Sequence, residues 1–368
     1  MIPHTPLDSA RLSPAAQRAL GPGPGRTMAA RGLLPLAPAD QIAVLYQLSL
    51  DTESTLAQSA RATAAGLPEK LLAGALAQPT TDPRVLDFFA QLIADKPAVF
   101  DAIALNPAVA DQTIATLAGR AGSREVDQIA QNEQRLLRHP EIIAAMYMNR
   151  RARMSTIDRV VELAVRNGVR VPGLAAWDEV ARALTGAPPA SADGDAMFAA
   201  MAATTVRDDS ALTTGDAEQA LPEDEAAGAA AAQGEDDEER KLTVPMKVRL
   251  ATLGDAFERA KRIRDPVRMV AIAAIKAPGV TDIEAARYAG NQALAEDVIR
   301  YIAANRNWTK LYAVKVSLCR NPKAPIVETT RFLPFLRQKD LVNLSKSKSV
   351  PSAVAAQARK LIMQRSAK

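Results

Sequence analysis

The chain has 368 residues, 48% of them hydrophobic, only 4% aromatic and 24% charged, with a formal net charge of +5. One cysteine, Cys319, excludes an intrachain disulfide, and two histidines, His4 and His139, leave no Cys/His metal constellation or Cys-His catalytic pair at workable spacing. No apolar run reaches the roughly 18 residues of a membrane span, and no charged-then-apolar leader opens the chain, so a cytoplasmic protein without a cofactor is expected.

In Met1 to Gly32, three x-Pro turns and the run Gly21-Pro22-Gly23-Pro24-Gly25-Arg26 interrupt regular structure, and residues 1–32 are expected to be a disordered tail. The glycines beside Arg26 lack the preceding strand and the following Gly-Lys-Ser/Thr of a phosphate-binding loop, so the run reads as a linker. An N-terminal helical repeat domain is predicted over 33–185. Apolar residues recur at helical spacing in 39–48 and 56–65, Pro68 opens 69–76, and Thr81-Asp82-Pro83 introduces 84–94. The domain ends near Val171-Pro172-Gly173, after an amphipathic helix over 157–165, with a short helix over 177–184 expected as its cap.

Residues 186–242 change character. Between 191 and 240 two basic residues meet fourteen acids, a net charge of −12 that closes on Glu235-Asp236-Asp237-Glu238-Glu239. Such a composition does not offset its ordering entropy by burial, so an acidic, disordered linker is expected. Within it Met197, Phe198 and Met201 form an apolar island. It reads either as a docking helix or, more plainly, as an Ala-rich stretch with transient helicity.

The second domain spans 243–368. From residue 241 onward 25 Lys and Arg meet nine acids, a net charge of +16. Helices are predicted over 247–264, 266–276, 282–289, 295–304, 309–319, 325–336, 340–345 and 352–364, with largely basic solvent faces. Part of this domain repeats the first. Pro107-x-Val109-x-Asp111, Ala118-Gly119, Ile129-Ala130-x-Asn132 and Asn149 return as Pro278-x-Val280-x-Asp282, Ala289-Gly290, Ile302-Ala303-x-Asn305 and Asn321, offset by 171 to 173 positions. A turn Pro, an N-cap Asp, small packing residues and a turn Asn in one order are what stacked helical hairpins need. The expected fold is all-α, two α-solenoid-like helical repeat blocks joined by the acidic linker.

The turns Leu105-Asn106-Pro107, Arg320-Asn321-Pro322-Lys323-Ala324-Pro325 and Val350-Pro351 resemble the Asn-Pro-x-Thr/Ala-Pro turns of leucine-rich repeat variants, short helical repeats related in shape to HEAT arrays. The resemblance implies a right-handed curved stack of short helices that acts as a recognition surface. It brings no catalytic residue.

Acid pairs such as Asp236 with Asp237 sit in the acidic tract, so an enzyme is not expected. Arg300, Arg306, Lys310, Lys315, Arg320 and Lys323 fall on or beside consecutive helices near Tyr301, Trp308 and Tyr312. Lys346 and Lys348 follow in a Lys/Ser loop that offers either an anion site or, more plainly, a helix cap. These eight cations form the predicted partner-binding face. The expected function is a non-enzymatic scaffold whose basic block binds an acidic protein partner, with the acidic linker folding back on that block. The alternative is nucleic-acid binding by the same face, phosphates meeting the cations and bases stacking on the aromatics. Against that alternative, the large rings read more simply as buried mass.

Overall fold

Proline decides where many of the helices begin. Its missing N–H and fixed φ cost nothing at the first helical position, and Pro14, Pro24, Pro38, Pro83 and Pro97 each open a helix. The computed structural model describes residues 2–93, 96–185, 190–204, 239 and 241–366, and among the described residues there is no strand. The chain divides into two units at Gly173 and Leu174.

The first unit contains α1 (Pro14–Leu20), α2 (Pro24–Ala30), α3 (Pro38–Ser49), α4 (Ser54–Gly66), α5 (Glu69–Leu76) and α6 (Pro83–Ile93). It continues with α7 (Pro97–Ala104), α8 (Asp111–Ala118), α9 (Ser123–Ile129), α10 (Glu133–Arg138), α11 (Glu141–Met148) and α12 (Met154–Arg166). Helices pack on near neighbours in sequence, α3 on α5, α5 on α7, α7 on α9, α4 on α6 and α6 on α8 by a step of two, and α8 on α11 by a step of three. The helices are too short to be stable alone, so the aliphatic stripes they bury against these neighbours supply the stability. Ile42, Leu45, Leu72, Leu76, Phe89, Phe100 and Ile143 are all buried between them.

The tail expected to be disordered is folded. Residues 9–11 form a 3-10 turn, and α1 and α2 pack on α3 and α4 with Ala16, Ala19, Ala29 and Ala30 buried. The Gly-Pro run makes a turn instead of a linker: Gly23 takes φ +122°, where a side chain is strained, and Pro24 then starts α2. Residues 4–7 lie across α3 and α6. His4 Nε2 is 2.8 Å from Asp87 Oδ2, the Tyr46 hydroxyl donates to Thr5 O at 2.9 Å, and Arg84 Nη1 donates to Pro6 O at 2.9 Å.

The second unit begins with α13 (Trp177–Leu184) and α14 (Ala192–Thr204), both expected elsewhere. Predicted to cap the first block, α13 instead buries Trp177, Val180 and Ala183 with the second unit, packing on α15 (Val244–Leu253) and α17 (Arg268–Ile275). The acidic tract lies between them in sequence, so no local pattern could show the pairing. Placed in the linker by composition, α14 packs on α15, with Phe198 1% exposed and Ala202 buried. Of the predicted linker, 186–189, 205–238 and 240 lie outside the described residues.

The helix predicted over 247–264 is two, α15 and α16 (Ala256–Arg262), because Asp255 caps α16 by accepting the Glu258 N–H at 2.8 Å. Then come α18 (Asp282–Gly290), α19 (Glu296–Ala304), α20 (Tyr312–Arg320), α21 (Ile326–Phe332), α22 (Gln338–Lys346) and α23 (Ser352–Ser366). Second-neighbour packing returns: α15 on α17, α17 on α19, α18 on α20, α20 on α22 and α21 on α23. The duplicated segments carry matching elements in order, α8 with α18, α9 with α19 and α11 with α20. Asp111 and Asp282 are first helical residues rather than caps; the cap positions hold Ala110 and Thr281. An acid in the first turn still favours the helix through its dipole.

Candidate functional site

Three of the predicted cations, Lys310, Lys315 and Arg320, lie on or beside α20. Lys315 Nζ donates to Lys310 O at 3.3 Å and stands 5.1 Å above the ring of Phe335, which is 67% exposed. Five positions further along α20, Arg320 Nη2 bonds Asp340 Oδ1 of α22 at 3.0 Å. The Tyr312 hydroxyl donates to Asp340 Oδ2 at 2.6 Å and accepts the Arg337 N–H at 2.9 Å, while the Arg337 guanidinium lies 4.8 Å over the Tyr312 ring. Lys310, Lys315 and Arg320 are thus brought together with Phe335 and Arg337, two residues the sequence pattern did not single out.

The other predicted cations differ. Arg300 pairs with Glu296 on its own helix at 2.5 Å. Lys323 reaches back to Leu294 O at 2.7 Å and ties two hairpins together. Arg306, Lys346 and Lys348 are exposed. In the loop after α22 the Ser347 and Ser349 hydroxyls bond each other at 2.9 Å, and Ser352 is the first residue of α23 rather than its cap. Residues 306–366 hold thirteen Lys and Arg against Glu328 and Asp340. Both acids are engaged, by Arg331 and by Arg320, so the surface carries a strong positive field. Of the predicted docking residues only Phe198 is buried, facing the Arg249 guanidinium at 4.4 Å; Met197 and Met201 are half-buried.

The aromatics near this face are engaged within the protein. Tyr301 and Trp308 meet edge to face at 6.1 Å, and Lys276, bonded to buried Glu179 at 2.9 Å, sits 5.7 Å over Tyr301. Burial, with the Glu179 charge, raises the Tyr301 hydroxyl above its ordinary pKa.

Sequence reasoning missed a buried charge network at α15–α18. Arg259 forms a bidentate pair with Glu284 at 3.0 and 3.1 Å and donates to Gly254 O at 2.8 Å. Arg262, 1% exposed, bonds Glu258 at 2.5 Å and also contacts Glu239. Its one sequence signal was Asp255-x-x-Glu258 directly after Gly254, a helix stop and start that turns the Arg residues inward. A continuous helix over 247–264 hid that signal.

No family model matches the chain, and no curated protein or solved structure matches it either. In the first unit the His4 Nε2 is engaged by Asp87, whose other oxygen accepts from Thr113 at 2.5 Å. A cleft of about 740 Å³ is lined by Gln128, Asn132, Arg135 and Arg138, and both arginines are paired with Asp111. Burial pushes the Cys319 thiol up to about 12, which removes it as a nucleophile at neutral pH. The arrangement around α20 is suited to holding an anionic ligand by charge and by apolar contact.

Proposed function

We propose that this is a non-enzymatic interaction protein, built of stacked helical repeats of the leucine-rich repeat variant or HEAT-like kind, whose second unit binds an acidic protein segment on the face centred on α20. The observation that carries the reading is the exposed ring of Phe335 under Lys315 Nζ, beside Lys310, Arg320 and Arg337. An exposed aromatic within a cationic rim suits a peptide carrying both acidic and apolar side chains, since the ring supplies contact area and the cations supply steering. Nucleic acid is supported by the charge alone, because Tyr301, Trp308 and Tyr312 are engaged in internal contacts that compete with base stacking.

The test uses the full chain, a Glu-rich peptide containing one Leu or Phe, and a DNA oligonucleotide of equal charge, at 50 and 200 mM salt. Peptide binding that Phe335→Ala weakens about tenfold, and Lys310→Glu with Lys315→Glu weakens further, is the expected result. Oligonucleotide binding that falls steeply with salt, ignores Phe335→Ala and exceeds peptide binding would replace the reading with the nucleic-acid one.

A further inference from the structure

The closing acid of the Glu235-Asp236-Asp237-Glu238-Glu239 run is held in the second unit. The Glu239 carboxylate lies 2.9 Å from Lys261 Nζ and 3.7 Å from Lys247 Nζ, and it also contacts Arg262 Nη1. The three cations come from α15 and α16, apart from the eight predicted partner-binding cations. Arg262 is 1% exposed and fixed by Glu258, while Lys247 is fixed by Asp265 at 3.4 Å. Two polar atoms of the nest are buried without a hydrogen-bond partner, Arg262 Nη2 and Glu239 Oε2. The carboxylate is therefore imperfectly seated, and an acidic group that seats better would satisfy the guanidinium.

Removing Glu239 would leave Lys247, Lys261 and Arg262 facing, among the described residues, Glu258 and Asp265, an excess of one positive charge around the buried Arg262 guanidinium. The nest therefore needs an anion. Glu239 stands three residues before buried Leu242, so its carboxylate is presented at an effective concentration on the order of millimolar. That is strong enough to fill the nest and weak enough for a peptide bearing several acids to compete.

We propose that the Lys247–Lys261–Arg262 nest is a carboxylate-binding site for acidic peptide segments, closed in cis by Glu239 until such a segment displaces it. This rests on the acidic-partner reading above and adds its regulation: Glu239 guards a second contact for the partner. A peptide with adjacent acids would replace the Glu239 carboxylate and reach Arg262 Nη2 as well.

The experiment is zero-length carbodiimide cross-linking of the full chain at low salt, with and without an oligoglutamate peptide of about six residues. The protein alone should give an intramolecular Glu239–Lys261 link. Peptide at about millimolar concentration should suppress that link by more than half and become attached to Lys247 or Lys261 instead. Glu239→Gln should bind the peptide about fivefold more tightly, and adding Lys261→Glu should cancel the gain. The proposal is overturned if the link does not form, if bound peptide leaves it unchanged, if Glu239→Gln binds no better, or if an oligonucleotide suppresses it and the peptide does not. The link reports the nest alone. Loss of the reading centred on α20, seen as indifference to Phe335→Ala and Lys315→Glu, is therefore distinguishable from loss of the nest.

Discussion

Asn149 and Asn321, 172 positions apart, perform the same two tasks in the two units. Each side-chain amide donates twice to the hairpin before it: Asn149 to Ala118 O and Ala121 O, both at 2.8 Å, and Asn321 to Ala289 O at 2.9 Å and Asn291 O at 3.2 Å. Each carbonyl accepts the N–H two residues on, from Arg151 at 2.9 Å and Lys323 at 3.0 Å. Asn106 does likewise with Leu76 O and Gln78 O. The buried amide satisfies helix-end carbonyls that packing has cut off from water.

Asn321→Ala would leave those carbonyls buried without donors and release the turn. We expect a loss of about 2–3 kcal/mol in urea unfolding, in line with one or two unsatisfied buried groups. Asn149→Ala in the first unit should cost a similar amount, and the double variant should show the sum, since the sites share no partner. A loss under about 0.5 kcal/mol for either would reduce the staple to an ordinary turn.

The turn asparagines also mark how far the sequence was legible. Pro, Asn and the aliphatic stripes are local signals, and they placed α3, α4, α5, α12 and most of the second unit close to where they lie. The Ala-rich α1 and α2 were hidden because Gly and Pro read as disorder, whereas Ala16 and Ala30 are buried; α14 was readable only as one of two alternatives, a docking helix within an acidic linker, because the burial of Phe198 beside Arg249 of α15 is set by tertiary packing. At the candidate site, Lys310, Lys315 and Arg320 were readable as charge. Phe335 and Arg337 were not, because only tertiary packing brings the turn before α22 under Lys315 and over Tyr312.

The Arg259–Glu284 pair is the most demanding part of the buried network. Glu284 also accepts from Thr281 N–H and hydroxyl at 2.9 and 3.0 Å, completing a capping box at α18. Arg259→Met or Glu284→Gln alone should cost about 3–5 kcal/mol, because each strands its charged or polar partner. The double variant should cost less than the two together by at least about 0.5 kcal/mol. Strict additivity in urea unfolding would show that the pair is not coupled.

Stability should fall in acid through two aspartates of the first unit. Asp82 is held below the ordinary carboxylate range mainly by its hydrogen bond from Arg84, and Asp111 mainly by its bond from Arg138, with burial opposing in both. A carboxylate depressed in the folded state stabilises it fully above the ordinary value of about 4 and loses that contribution as pH falls through the folded value. The urea midpoint should therefore be insensitive to these groups from pH 8 to 5 and drop below about pH 4. Asp111→Asn should lower the midpoint at pH 7 and make the acid drop shallower; an unchanged acid slope would assign the drop to other groups.

Phe198 joins a segment of acidic composition to the folded second unit. Its ring is 1% exposed and lies 4.4 Å from the guanidinium carbon of Arg249, which is itself 0% exposed. α14 packs on α15, and its buried residues also include Ala202. Phe198→Ala removes the ring's buried area and its cation–π contact, so a cost of about 3–5 kcal/mol is expected for the second unit. Phe198→Leu keeps much of the volume without the π face, and should recover a good part of that loss. Limited proteolysis separates the outcomes: in the wild type α14 should resist cleavage, and in Phe198→Ala residues 192–204 should be cut while α20 stays protected. Equal resistance in both would mean that α14 is held by something other than this ring.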